Sequence, residues 1–125
     1  MISMILIDAN VILRFLLEDE KKMHEQAQKL IESGICYTLP EVVAEVIYVL
    51  NKVYQVDRAV IRKLLIRLFE KVILENPDVM YAALNIYAER NVDFVDSILI
   101  ARAKLLRENV FTFDKKVNRI MNEKE

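Results

Sequence analysis

Short, continuous apolar runs along the chain alternate with longer stretches in which apolar residues recur every three or four positions, a pattern that predicts strands separated by helices. Met4–Ile7 is apolar at every position, as suits a central strand buried on both faces. After Asp8, the residues Val11, Ile12, Phe15 and Leu16 recur at helical spacing. A second helix is expected from about Lys21 to Ser33, with Gly34 in the place of a C-terminal cap. Cys36–Leu39 reads as a second strand. Thr38 and Glu41 stand at capping-box spacing around Pro40, which predicts a third helix from there to about Tyr54. Asp57 reads as the N-cap of a fourth, with Val60, Ile61, Leu64, Leu65 and Leu68 as its apolar face. Val72–Leu74 fits either a third strand or the tail of that helix. Asn76 before Pro77 opens a helix to about Arg90. Asp93 and Asp96 open another, from Phe94 to about Arg107. Val110–Phe113 predicts one more strand, and Asp114 begins a last helix. Such an order implies an α/β sandwich with a mainly parallel sheet, without internal repeat or linker.

Composition narrows the chemistry. A chain of 125 residues, 54% hydrophobic and 30% charged, fits a single domain over 1–125 with its own core. One Cys and one His exclude a disulfide framework and a conventional zinc site, and one Gly excludes a P-loop or a Gly-rich dinucleotide turn. The net charge of −1 gives no overall attraction to nucleic acid, so any polyanion contact is local. The best stretch is Asp57–Lys71, where Arg58, Arg62 and Lys63 share one helix flank, either as an RNA contact or as a solvated face. No apolar run approaches the ~18 residues of a membrane span, and Met1–Ile7 has no basic leader. A reduced, cytoplasmic protein is expected, with Cys36 as a small buried hydrophobe.

Four acids stand where apolar residues are expected. Asp8 and Asp114 each follow a predicted strand, at the carboxyl edge where parallel α/β sheets place ligands. Asp96 lies among Phe94, Val95, Ile98, Leu99 and Ile100, and Glu45 is the only charged residue in Val42–Leu50. Capping explains Asp8, Asp93 and Asp114 one at a time, and the helix dipole explains Asp96. Glu45 is mid-helix, has no Lys or Arg within a turn, and in an apolar setting would need a partner. If the four converge, carboxylates ~4 Å apart repel by about 4 kcal/mol at an effective dielectric near 20, so a compensating cation is required. Hard oxygen ligands select Mg²⁺ or Mn²⁺, which points to metal-assisted phosphodiester hydrolysis.

The segments Leu6–Leu17 (LIDANVILRFLL), Pro40–Leu50 (PEVVAEVIYVL), Asp93–Ala103 (DFVDSILIARA) and Phe111–Val117 (FTFDKKV) resemble, in order, the four acidic motifs of PIN-domain ribonucleases, and most closely those of VapC-like toxins. The resemblance spans nearly the whole chain. It implies a three-layer α/β/α fold and Mg²⁺- or Mn²⁺-dependent endoribonuclease activity, with Asp8, Glu45, Asp96 and Asp114 as the catalytic acids. On this likeness Asp8, Asp96 and Asp114 hold the metal, and Asn10, Asp93 and Thr112 support the site. Ala9 departs from the usual Thr or Ser, which removes one hydrogen bond. The resemblance also implies a homodimer, a cognate antitoxin and an RNA substrate. Val46, Ile47, Val49, Leu50 and Val53 serve either the dimer contact or the monomer core.

Other readings fit less well. Asp8-Ala9-Asn10 lacks the second Asp of haloacid-dehalogenase-like enzymes, and Ile7 before Asp8 breaks the acidic pair of a receiver domain. A degenerate PIN module without catalysis, or a housekeeping RNA-processing nuclease, are the remaining alternatives. His24 is expected to be exposed and inert. Arg14 is placed either to reach a phosphate near Asp8 or to pair with Glu18, one turn on. Tyr48, Tyr54, Tyr81 and Tyr87 read as half-buried core.

Overall fold

Three short strands, β1 (Ile5–Leu6), β2 (Cys36–Thr38) and β3 (Ile73–Leu74), pair in parallel in the order β1-β2-β3 in this computed structural model, which describes residues 3–124. Ile5 registers with Cys36, and Tyr37 with Ile73. Parallel neighbours need crossovers, and helices supply them. Helices α1 (Ala9–Leu17) and α2 (Lys21–Glu32) lie between β1 and β2 in the chain. Between β2 and β3 come α3 (Pro40–Tyr48), continued by a π-helical stretch Val49–Val53, and α4 (Arg58–Phe69). These elements form one of two compact units, which ends at Glu75. The second begins at Asn76 and holds α5 (Pro77–Glu89), α6 (Phe94–Leu105) and α7 (Lys115–Met121).

The helical periodicity of the first unit is realised in its core. Ile12, Phe15, Ile31, Val43, Val46, Ile47, Leu50, Ile61, Leu65 and Leu68 are all buried, and the Arg67 guanidinium lies over the Phe15 ring at 5.9 Å. Val46, Ile47 and Leu50 therefore serve the core, while Tyr48, Val53 and Tyr54 stay exposed. Val60, expected on the apolar face of α4, is exposed as well. In the second unit Tyr87 meets Phe94 edge to face at 6.3 Å, and Val92, Ile100, Val117 and Ile120 form a buried cluster.

Helix ends follow local chemistry. Asp8 accepts from the Val11 N–H at 3.0 Å and starts α1. Helix α2 stops at Gly34, whose φ of 83° is left-handed and whose N–H donates to the Ile31 carbonyl. Nothing lies within 4 Å of a Cβ built there. Gly34→Ala therefore meets backbone strain alone, about 1 kcal/mol, and should lower Tm by roughly 3–5 °C in a thermal melt.

Three expectations are corrected. Thr38 does not cap α3, because it sits in β2 and its buried hydroxyl donates to the Ile7 carbonyl at 3.3 Å. Helix α3 instead begins with Pro40 in its first turn, after an uncapped Leu39. β1 stands at an edge of its sheet, not at the centre, with Met4, Ile5 and Leu6 exposed. Residues 110–113 form no strand. Their polar groups turn towards α7, with the Thr112 carbonyl accepting from Asn118 Nδ2 at 2.9 Å. Phe111 and Phe113 are left 84% and 89% exposed, packed edge to face on each other. Among the described residues, no helix is long and apolar enough to cross a membrane.

Candidate functional site

Helix α6 begins because Asp93 caps it. Its Oδ1 accepts from the Asp96 N–H at 2.8 Å, and its carbonyl accepts from the Ser97 hydroxyl at 2.8 Å. Phe94, Ser97, Ile100 and Ala101 turn inward and fix the helix, which places Asp96 half-buried at the third helical position. Its carboxyl is held above the usual Asp range. Burial is the largest cause; the charges of Asp93 and Asp114 come next, then a hydrogen bond with Asp93. All three acids belong to one unit, so this crowding is internal to it.

Asp114 is set by the turn before α7. Its Oδ1 accepts from the Val117 N–H at 2.9 Å, and its own N–H donates to the Thr112 hydroxyl at 3.1 Å. Asn118 ties down the Thr112 carbonyl. Thr112 thus holds the Asp114 backbone at the start of α7.

In the first unit, Asp8 and Asn10 are exposed at the start of α1. Glu45 lies on α3, which packs against α1. It is exposed, because Val43, Val46 and Ile47 take the buried face of that helix. The expectation of an apolar setting is therefore corrected: water carries the Glu45 charge, and no cationic neighbour is needed. Asp8, Asp93 and Asp114 all act as caps, each through one oxygen, Oδ1. A carboxylate has about four acceptor sites, so capping does not prevent ligation. Neither unit by itself gathers, among the described residues, three such side chains at metal-binding distance. The donors are nonetheless all oxygens, and the like-charge crowding at Asp96 is what a hard divalent cation relieves.

Arg14 does not pair with Glu18. Its Nη1 donates to Asp19 Oδ1 at 3.1 Å, and its Nε is buried without a partner. His24 is half-buried, not exposed, with Nδ1 3.0 Å from the Arg14 carbonyl and Nε2 3.5 Å from Glu18. On α4, Arg58 and Arg62 are half-buried and Lys63 is exposed, while Lys71 pairs with Glu32 at 3.4 Å. Tyr87 is core and Tyr81 half-buried, but Tyr48 and Tyr54 are exposed. Burial pushes the Cys36 thiol up, as befits an inert core cysteine. Ser97 and Asn118 were not singled out by the sequence pattern. A lone Ser four residues after Asp93, inside an apolar run, is the signal that marks Ser97.

The family model of the PIN domain matches residues 5–122, across both units. Among curated proteins, and among solved structures, none matches this chain. PIN domains are generally metal-dependent nucleases of the three-layer α/β/α class, and the parallel sheet with its flanking helices accords with that class. With nearly the whole sequence matched, the chain belongs to the PIN-domain family.

Proposed function

We propose that the chain is a Mg²⁺- or Mn²⁺-dependent endoribonuclease and the cytoplasmic toxin of a toxin–antitoxin pair, acting on RNA as a homodimer. The observation that carries the reading is the PIN-domain match over residues 5–122, and the raised Asp96 carboxyl, held up first by burial and then by the charges of Asp93 and Asp114, supports it. Asp8, Asp96 and Asp114 would hold the ion through carboxylate oxygens. When bound, it supplies a water of lowered pKa and neutralises charge developing on the phosphate. Thr112 keeps Asp114 in place through its backbone N–H, and Asp93 holds the Asp96 backbone. Asn10, two residues after Asp8, would hydrogen-bond the site from outside. Glu45, exposed on α3, would accept the proton of the attacking water. Attack by water leaves a 5′-phosphate and a 3′-hydroxyl. The antitoxin, the dimer and the choice of RNA rest on the resemblance of the four acidic segments.

Mn²⁺ titration followed by thermal melting tests the metal. At about a hundred times Kd the ion stabilises by about 2.7 kcal/mol, or roughly 8–12 °C for a chain of this size. The shift should shrink in Asp8→Asn. An RNA cleaved equally well in EDTA, or a melt indifferent to Mn²⁺ up to millimolar levels, overturns the reading.

A further inference from the structure

Two tyrosines expected in the core stand outside it. Tyr48 closes α3 and is 64% exposed, and Tyr54, just after the π-helical stretch, is 46% exposed. Glu41, Glu45, Tyr48 and Lys52 are exposed at helical spacing, so Tyr48 and Lys52 continue the outward face of Glu45. The corner that follows is fixed by hydrogen bonds. The Tyr54 N–H donates to the Val49 carbonyl at 3.2 Å, the Val56 N–H to that of Leu50 at 2.9 Å, and Asn51 Nδ2 to that of Val56 at 3.1 Å. Beyond the corner, buried Ile61, Leu65 and Leu68 anchor α4 and leave Lys63 exposed. All of these residues belong to the first unit. π-helical turns are rare and frequently mark functional sites.

Positive charge gathers at the same place. Helix α4 carries Arg58, Arg62, Lys63 and Arg67 and no acid, in a chain whose net charge is −1. Lys63 and Arg67 stand one turn apart, where like charges repel. The flanking Asp57 and Glu70 are too few to offset four cations. Lys52 and Lys63 are exposed and enter no ion pair among the described residues. Tyrosine and lysine thus alternate along the chain as Tyr48, Lys52, Tyr54 and Lys63, exposed at every one. Single-stranded RNA alternates in the same way, with a flat base and a phosphate in each nucleotide. A duplex keeps its bases stacked on one another and offers this surface only phosphates. A second copy joined through this face about a two-fold axis would set one basic helix against another. An acidic peptide would answer the lysines alone.

We infer that the exposed surface of Tyr48, Lys52, Tyr54 and Lys63 holds single-stranded RNA outside the acidic site, with bases stacked on the two tyrosines and phosphates on the two lysines. For its biological role the inference rests on the nuclease reading. Tyr48 stands one turn beyond Glu45 on the same outward face, so RNA held here leads towards the acid proposed to take the proton of water. The claim itself concerns binding and stands apart from cleavage. Stacking on aromatic rings tolerates any base, so this surface adds grip without choosing a sequence.

The test uses the full chain as Asp8→Asn in EDTA, so that nothing is cut. A short fluorescein-labelled oligouridylate is titrated by anisotropy over a series of salt concentrations. Tyr48→Ala and Tyr54→Ala should each weaken binding about tenfold, within the range for one base on one aromatic ring. Tyr48→Phe, which keeps the ring, should bind like the parent. Lys52→Gln and Lys63→Gln should each make the slope of log K against log salt shallower by about 0.7, the share of one phosphate contact on a single strand. All four positions are exposed, so the fold should survive each change. A blunt RNA duplex of the same length should bind with no sensitivity to either tyrosine. Oligouridylate binding untouched in both alanine variants, or a salt slope untouched in both glutamine variants, overturns the inference. Displacement of the RNA by polyglutamate at equal charge overturns it too and gives the surface to an acidic protein partner. If the wild-type chain cleaves RNA with Mn²⁺ while these variants bind like the parent, the surface fails and the nuclease reading stands. If the variants lose binding and no cleavage occurs, the converse holds.

Discussion

Asp96→Asn should abolish the proposed RNA cleavage and, in the same protein without metal, should raise the melting temperature. On the proposed reading, the first effect would come from losing an oxygen charge at the ion. Groups one shell further out typically cost 10–100-fold when removed, so a direct ligand should cost more than about a hundredfold. The second follows from the electrostatics of α6. Asp96 is held above the usual Asp range by burial, by Asp93 and by Asp114, so its ionised form is disfavoured in the folded protein. The folded state then binds more protons than the unfolded one between the ordinary Asp value, about 3.9, and the raised value. Stability from this group is complete below that window and is lost as pH rises through it. Asparagine does not ionise. The Tm gap between Asp96→Asn and wild type should open through the window, reach its maximum above it, and amount to roughly 3–5 °C for each kcal/mol relieved. Glu108 and Glu123 are shifted the other way by Arg102 and Arg90, but both proteins share them and they cancel in the difference. Asp8→Asn should lose cleavage to the same degree with a smaller change in Tm, since asparagine caps α1 nearly as well. Product analysis and melts from pH 3 to 8 with EDTA check both. Wild-type cleavage in either variant, or an Asp96→Asn melt that falls, refutes the assignment.

The local roles of the candidate acids were legible where capping chemistry decides them. Asp8, Asp93 and Asp114 stand at strand or loop ends before apolar helical periodicity, and each caps the helix expected after it. The helices α5, α6 and α7 begin where Asn76, Asp93 and Asp114 place them, because proline and capping carboxylates act within one turn. What was not legible depends on partners distant in sequence. Val110–Phe113 has strand composition, yet strand formation needs a neighbour, and local bonds to Asn118 and Asp114 take its polar groups instead. Glu45 reads as an intruder among apolar residues, but helical geometry sends positions 43, 46 and 47 inward and 45 outward. The partner of Arg14 shifts from Glu18 to Asp19 because Glu18 adopts a left-handed φ of 56° at the end of α1 and faces His24. A one-dimensional i,i+4 rule cannot see past a helix end.

Ile100→Ala should be strongly destabilising, and it should reach the acids without touching them. Ile100 is fully buried with Val92, Val117 and Ile120, and Ile86 and Met121 pack around the cluster. Helix α7 has seven residues and buries only Val117 and Ile120, so this cluster is what holds it to α6. Removing the side chain of a core isoleucine costs about 2–5 kcal/mol, while Ile100→Val should cost roughly 0.5–1.5 kcal/mol. Asp114 starts α7, and its charge is one of the causes of the raised Asp96 value. As α7 loosens, that contribution weakens and the Asp96 titration, followed by its carboxyl carbon resonance, should move back towards the usual range in Ile100→Ala but not in Ile100→Val. Burial of Asp96 remains the larger cause, so the return is partial. If Asp114 holds the ion as proposed, cleavage measured well below the lowered melting point should fall more than about tenfold in Ile100→Ala, since a ligand displaced by about an ångström would no longer meet the geometry a catalytic ion demands. An Ile100→Ala protein that is less stable yet titrates and cleaves like wild type would mean that α7 is not what sets Asp114.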